Sequence, residues 1–312
     1  MNDNANSLPR DLLHALCSLL RYVEFAAIVL GVVGILTSRA AAAGPISTLY
    51  FTSGSGAGRL GLTAIEGPNV IWPGFTIFSG SHSALAVNGS VRTLGLSSPY
   101  VGNEYFLNLF PTGQSSYPFP AALGSDSVYD GTTDGTFNYA WNLTRGAAYK
   151  FNLDWTGATL LFTLGNASGN RLGITYDASN NSLWLSGYDG AVGTLISNYS
   201  LNGALLSSFN IDHDQNGFLA LDPADGTLWL SRIDRDGPGL VLGQYARSVA
   251  GSFGATQTLL QGQVYRGQAV DAFGGEFQYT GSVVPEPSSL ALLAFGSLAL
   301  FSFRRYPRRP GD

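Results

Sequence analysis

The chain of 312 residues is 45% hydrophobic and only 12% charged, with 40 glycines, one cysteine and a formal net charge of −5. Between residues 44 and 282, nine Arg and Lys stand against sixteen Asp and Glu, an acidic balance that repels phosphate backbones and excludes nucleic acid as a partner. Cys17 precedes the first apolar run, so the chain beyond that run has no thiol, no disulfide and no thiolate metal site.

The first element is the apolar run FAAIVLGVVGIL at 25–36, led by a polar segment with Arg10 and Arg21 and followed by Arg39 and four alanines at 40–43. Twelve residues are too few for the ~20 that a membrane-spanning helix needs, and small residues directly behind such a run suit a signal peptidase. Residues 1–43 are therefore expected to be a signal helix, cleaved near Ala43. Cys17 is no lipidation site, because a lipidated cysteine follows the apolar run instead of preceding it.

The interior, residues 44–282, shows almost no helical periodicity. Short runs of apolar and aromatic residues are broken by Gly, Asn, Asp and Ser, the pattern of strands joined by tight turns. The G-x-G-x-x-G string at 56–61 follows a strand but opens no helix, so it lacks the amide groups that cradle a pyrophosphate and reads as a glycine-rich hairpin. His82 and His213 are too few for a histidine metal centre, and neither Ser81 nor Ser83 sits in a G-x-S-x-G elbow.

The middle of the interior repeats. LGITYDASNNSLWLS at 172–186 aligns with FLALDPADGTLWLS at 218–231, which places Asp177 and Asp222, and likewise Trp184 and Trp229, 45 residues apart. Upstream, Asp130 in VYDG leads to Phe137; downstream, Asp271 leads through Gly274 and Gly275 to Phe277. Each unit holds a strand ending in Asp, a turn, an aromatic strand and two further strands. Four strands in about 45 residues make a propeller blade, whose faces are buried only against neighbouring blades. The expected fold class is all-β: a propeller of about five four-stranded blades, flanked by the signal helix and a C-terminal transmembrane helix. Residues 48 to about 78 are expected to close the ring beside the strand near Phe277. Asp130, Asp177, Asp222 and Asp271 are read as turn acids that accept backbone N–H groups, with Gly226 supplying a positive φ. A ring of metal-binding acids at the channel mouth is the alternative use of the same four. Trp141, Trp155, Trp184 and Trp229 could stack on sugars; the two aligned ones are assigned to the blade core.

Between two of these strands, Asp212, Asp214 and Asn216 with Gly217 begin a D-x-D-x-N-G calcium loop, but its twelfth position is Pro223 where a bidentate glutamate belongs. These three residues are the calcium candidate, but the segment falls between two blade strands, where a polar hairpin is expected in any case, and it is read as a solvated turn. No cofactor is called for.

The last element begins with Pro285, Glu286 and Pro287, continues as LALLAFGSLALFSF at 290–303, and closes with Arg304, Arg305, Arg308 and Arg309. Arginines resist crossing a membrane and stay on the cytoplasmic side, while the proline-flanked stretch stays extended, as a protease cleft requires. In all three parts and their order, residues 283–312 resemble the PEP-CTERM sorting signal of Gram-negative bacteria. The resemblance implies recognition by a membrane exosortase, which releases or transfers the chain, after anchoring through the C-terminal helix. It also implies an exopolysaccharide or biofilm setting, hence a non-enzymatic surface or matrix protein with polysaccharide as a possible partner. The blades also resemble those of soluble lactonases and sugar-sensing propellers, so the alternative is an extracytoplasmic propeller-type hydrolase or lactonase. A metal held in the channel by three or more acids would favour the enzyme.

Overall fold

The computed structural model describes residues 44–281, apart from 56–58, 68, 73–81, 166–169, 190–192, 212–216, 234–238, 248–254, 258 and 267–270. The expected signal helix, the sorting tail and the calcium-loop residues Asp212, Asp214 and Asn216 lie outside the described residues. Among the described residues, no helix is long and apolar enough to cross a membrane.

Five antiparallel sheets follow one another along the chain. The first contains β1 (Leu49–Ser55), β2 (Arg59–Glu66) and β3 (Asn69–Trp72), and is completed by the last strand, β21 (Asp271–Phe277), in the order β21-β1-β2-β3. The second is β4 (His82–Val87), β5 (Val91–Gly95), β6 (Val101–Tyr105) and β7 (Pro111–Pro118). The third is β8 (Val128–Thr133), β9 (Asn138–Asn142), β10 (Ala147–Phe151) and β11 (Thr159–Thr163). The fourth holds β12 (Asn170–Asp177), β13 (Ser182–Asp189), β14 (Gly193–Ser200) and β15 (Leu205–Ile211). The fifth holds β16 (Leu219–Leu221), β17 (Leu228–Ile233), β18 (Gly239–Tyr245) and β20 (Gln261–Arg266).

The first strand of each unit contacts that of the next around a closed circuit, β21 to β4 to β8 to β12 to β16 and back to β21. The arrangement is a five-bladed β-propeller. The ring closes as the sequence pattern implies: β1 pairs antiparallel with β21, Leu49 opposite Phe277, so that one blade is shared between the two ends of the body. This joins the two ends of the body by an antiparallel ladder, with one irregularity between Phe51 and Ser53, and closes the seam. One feature departs from four strands per blade. Strand β19 (Ala255–Gln257), from the segment between β18 and β20, crosses to the fourth blade and pairs parallel with β15, covering its outer edge.

Alternation along each strand sends apolar side chains to both faces of every blade, and each face is buried against its neighbour. Five hydrophobic clusters result, one per interface. Phe51 and Leu49 meet Phe218 and Trp229 across the closing seam, while Trp184 and Ile196 meet Leu219 and Leu228 between the fourth and fifth blades. Trp184 lies opposite Thr175 and Trp229 opposite Ala220, the same place in adjacent blades, and both are buried. Near the axis the strands approach too closely for a side chain. A Cβ on Gly274 would stand 1.9 Å from the Ser83 carbonyl oxygen, and one on Gly275 would stand 2.4 Å from the Phe218 ring.

Candidate functional site

Two carboxylates occupy the axis. Asp130, from the middle of β8, is fully buried. Its Oδ1 accepts the N–H groups of Gly131 and Gly275, both at 2.9 Å, and its Oδ2 accepts those of Ile174 at 2.9 Å and Leu219 at 3.0 Å. One side chain thus joins the inner strands of four blades. Burial pushes its pKa well above the ordinary carboxylate value, with the Glu276 charge adding to the rise and the N–H groups of Leu219, Ile174 and Gly275 opposing it.

Glu276, on β21, is the second. It accepts the Thr175 hydroxyl on both oxygens, at 3.3 and 3.0 Å, and its own neighbour's N–H, from Phe277, at 2.9 Å. Burial drives its pKa up to about 8, against the pull of hydrogen bonds from Thr132, Phe277 and Thr175. The hydroxyls pass the linkage on: Leu221 N–H donates to Thr175 and Tyr176 N–H to Thr132. Further along the axis, Thr52 donates to the Ser83 carbonyl at 3.0 Å, and Ser83 donates to the Val128 carbonyl. The axis is therefore a knitted core of hydroxyls and two acids, every carboxylate oxygen of which already accepts a protein donor.

The turns at the ends of the inner strands hold the remaining acids. Asp177 accepts Ser179 N–H at 3.0 Å and the Trp184 indole N–H at 3.0 Å, and is paired with Arg247 at 2.9 Å. Arg247 comes from the segment that supplies β19, so this excursion holds the fourth blade twice. Asp222 accepts Ala224 N–H at 2.9 Å in its own turn, where Gly226 has φ +71°. Its other oxygen accepts Ile46 N–H at 2.9 Å and Ser47 N–H at 3.2 Å, which latches the residues leading into β1 onto the last blade. With that carboxylate so engaged, the Trp229 indole N–H has no acceptor among the described residues.

The structure separates the four repeat acids. Asp130 lies on the axis, not in a turn, because β8 continues through Thr132 and Thr133 beyond it. The turn position in that blade is held by Asp134, which accepts Thr136 N–H at 2.7 Å, Phe137 N–H at 2.6 Å and the Tyr139 hydroxyl at 2.6 Å. Tyr139 lies opposite Thr132 and is the counterpart of Trp184, 45 residues before it; Phe137, with Lys150 4.4 Å above its ring, is not. Asp271 opens β21 opposite Gly54, at the other end of the ring from the turns. Pro285, Glu286, Pro287 and the four arginines lie outside the described residues.

At the turn end of the axis a depression open to solvent lies between Thr132, Thr133, Tyr176, Ala178, Leu221, Pro223 and Glu276. Its remaining wall is the chain leaving β21, residues 277–281. Trp141, Trp155, Trp184 and Trp229 are all at most 2% exposed, so each is interface core and none is a platform for a sugar ring. His82 is buried, hydrogen-bonded to the Thr93 hydroxyl at 2.8 Å, and burial lowers its pKa to about 4, which leaves it neutral. Among the described residues no three His, Cys, Asp or Glu side chains form a metal-holding group.

The described body is thus an all-β propeller whose axial acids accept hydrogen bonds from its own strands. Residues 283–309 match the PEP-CTERM protein-sorting motif. That motif is a sorting signal recognised by exosortase, and it marks the chain as an exported, membrane-anchored sorting substrate. No curated protein matches the chain in sequence. Among solved structures, it is similar to a chain of a nidogen/laminin complex at 12% identity, covering 77% of this chain and 100% of that one with a TM-score of 0.48. A Myxococcus xanthus glutaminyl cyclase is similar at 16% identity over 70% of this chain and 78% of the other, TM-score 0.38. Hydrazine synthase from Kuenenia stuttgartiensis is similar at 10% identity over 62% of this chain, TM-score 0.39, and this chain spans about half of it, 52%. The fold assignment stands on the five sheets and their closure.

Proposed function

We propose that the protein is a non-enzymatic binding or structural module of the cell surface or extracellular matrix, delivered by its tail. In this reading residues 1–43 are removed by signal peptidase. The C-terminal helix at 290–303 holds the chain in the membrane, and exosortase cuts or transfers it at Pro285, Glu286 and Pro287. The ring then acts in an exopolysaccharide or biofilm setting. The observation that carries the reading is the sorting motif placed directly behind a closed ring. The axis supports a structural role: both acids there are bound by backbone N–H and hydroxyl groups of the protein's own strands.

Replacing Glu286 with Ala in the native host tests it. The variant is expected to be exported and to accumulate at full length in the membrane fraction, while wild type is found shortened at the surface or in the medium. Identical size and distribution of the two would overturn the reading. Binding of the released body to the host's exopolysaccharide, measured by co-sedimentation, tests the partner.

A further inference from the structure

The last residues of the body do not simply trail from the ring. Beyond β21, Tyr279 N–H donates to the Val87 carbonyl of the second blade at 2.8 Å. Its ring stands 6.3 Å from that of Tyr176 in the fourth blade, which is itself stacked on Tyr139 of the third at 5.9 Å. Gly135, in the turn of the third blade, lies so close that a Cβ there would be 2.5 Å from the Tyr279 ring, and the Asn88 amide braces this turn by donating to the Gly135 carbonyl. The segment is therefore docked on three blades at once, on the turn face.

We propose that residues 278–281 are a docked strap that restricts access to the sorting motif, so that processing proceeds through release of the strap from the ring. The inference rests on the reading of residues 285–287 as a processing site. Gly281 and Pro285 are four Cα steps apart in the sequence, roughly 13 Å fully extended. A cleft that grips the motif as an extended segment must reach it across a spacer of three residues, 282–284, counted from the strap. With the strap docked, those three residues are the whole spacer between the body of the propeller and the motif. Release adds four residues and about doubles the reach. The covalent step is ordinary: one peptide bond at the motif breaks, its carbonyl carbon passing to water or to an acceptor amine, and the helical fragment leaves with the new amino group. The strap acts before that step, on access alone.

The test is pulse-chase of the full chain in the native host, following the shift from full-length to shortened protein. Two variants are compared: Tyr279→Ala, which removes the docked ring, and a Gly-Ser-Gly-Ser insertion after Gly281, which leaves the strap in place and lengthens the reach. Each is expected to shorten the half-life of the precursor about five- to tenfold, the scale of one lost aromatic contact, and the combination is expected to add nothing further. Unchanged half-lives, or acceleration by only one of the two variants, would overturn the proposal. Should wild type and every variant keep the tail indefinitely, the processing reading itself fails, an outcome distinct from a processed wild type with insensitive variants.

Discussion

Replacing Asp130 with Asn keeps the shape of the side chain and turns one acceptor oxygen into a pair of N–H donors. Whichever way the amide is turned, the nitrogen faces two backbone N–H groups: Gly131 and Gly275 on one side, or Ile174 and Leu219 on the other. Two buried donors lose their acceptor and meet another donor. Each unsatisfied buried group costs about 1–3 kcal/mol. Removing the acid also removes the burial cost that raises its pKa, so the net loss expected is about 2–4 kcal/mol. Four of the five tryptophans lie in blade interfaces, which makes their fluorescence a direct reporter. Urea unfolding at pH 7 should show a lower midpoint with an unchanged slope. A loss below about 1 kcal/mol would refute the view that this carboxylate ties four blades together.

Glu276 sets a pH dependence. Its folded pKa, about 8, exceeds the ordinary 4.5, so between those values the folded state binds more protons than the unfolded one. Stability from this group is full at low pH and falls as pH rises toward 8; raised Asp130 adds in the same sense. Urea midpoints should decline from pH 5 to pH 9, and Glu276→Gln should flatten much of that slope; a midpoint rising with pH contradicts it. Trp184→Ala and Trp229→Ala should each cost about 3–5 kcal/mol in the same assay, and a near-zero loss for either would break their equivalence. Conservative replacement separates them: Trp184→Phe loses the bond to Asp177 whereas Trp229→Phe loses none among the described residues, so the first should cost more. Asp222→Ala should cost about 1–3 kcal/mol by freeing the latch at Ile46 and Ser47, detectable as faster amide exchange at those two positions.

What the sequence made legible was whatever repeats locally. The 45-residue spacing of Asp177 with Asp222 and Trp184 with Trp229 is visible because one turn and one interface recur, and each needs the same chemistry every time. The closing of the ring followed from the same logic, since a lone terminal strand near Phe277 needed partners. In the third blade the match through Asp130 and Phe137 is misplaced: Asp134 and Gly135 carry the turn signal, 43 residues before Asp177, and Tyr139 keeps the 45-residue spacing to Trp184. The axial acids were beyond local reading. Asp130 meets Leu219, 89 positions away, and Gly275, 145 away; nothing in VYDG distinguishes an acid aimed at the axis from one that caps a turn. Glu276, behind two glycines, carried a hint in that close-packed strands permit few side chains. The crossing of β19 and the docking of Tyr279 depend on surfaces assembled from several blades and have no signature in their own segments.

The central claim, that the chain is a sorting substrate whose propeller is freed from its tail, is met most directly by the intact mass of wild-type protein recovered from the native host. The mature chain is expected to begin near Gly44 and to end near Pro285, Glu286 and Pro287, without the helix at 290–303. Recovery of mature protein with Arg308 and Arg309 still attached would contradict it.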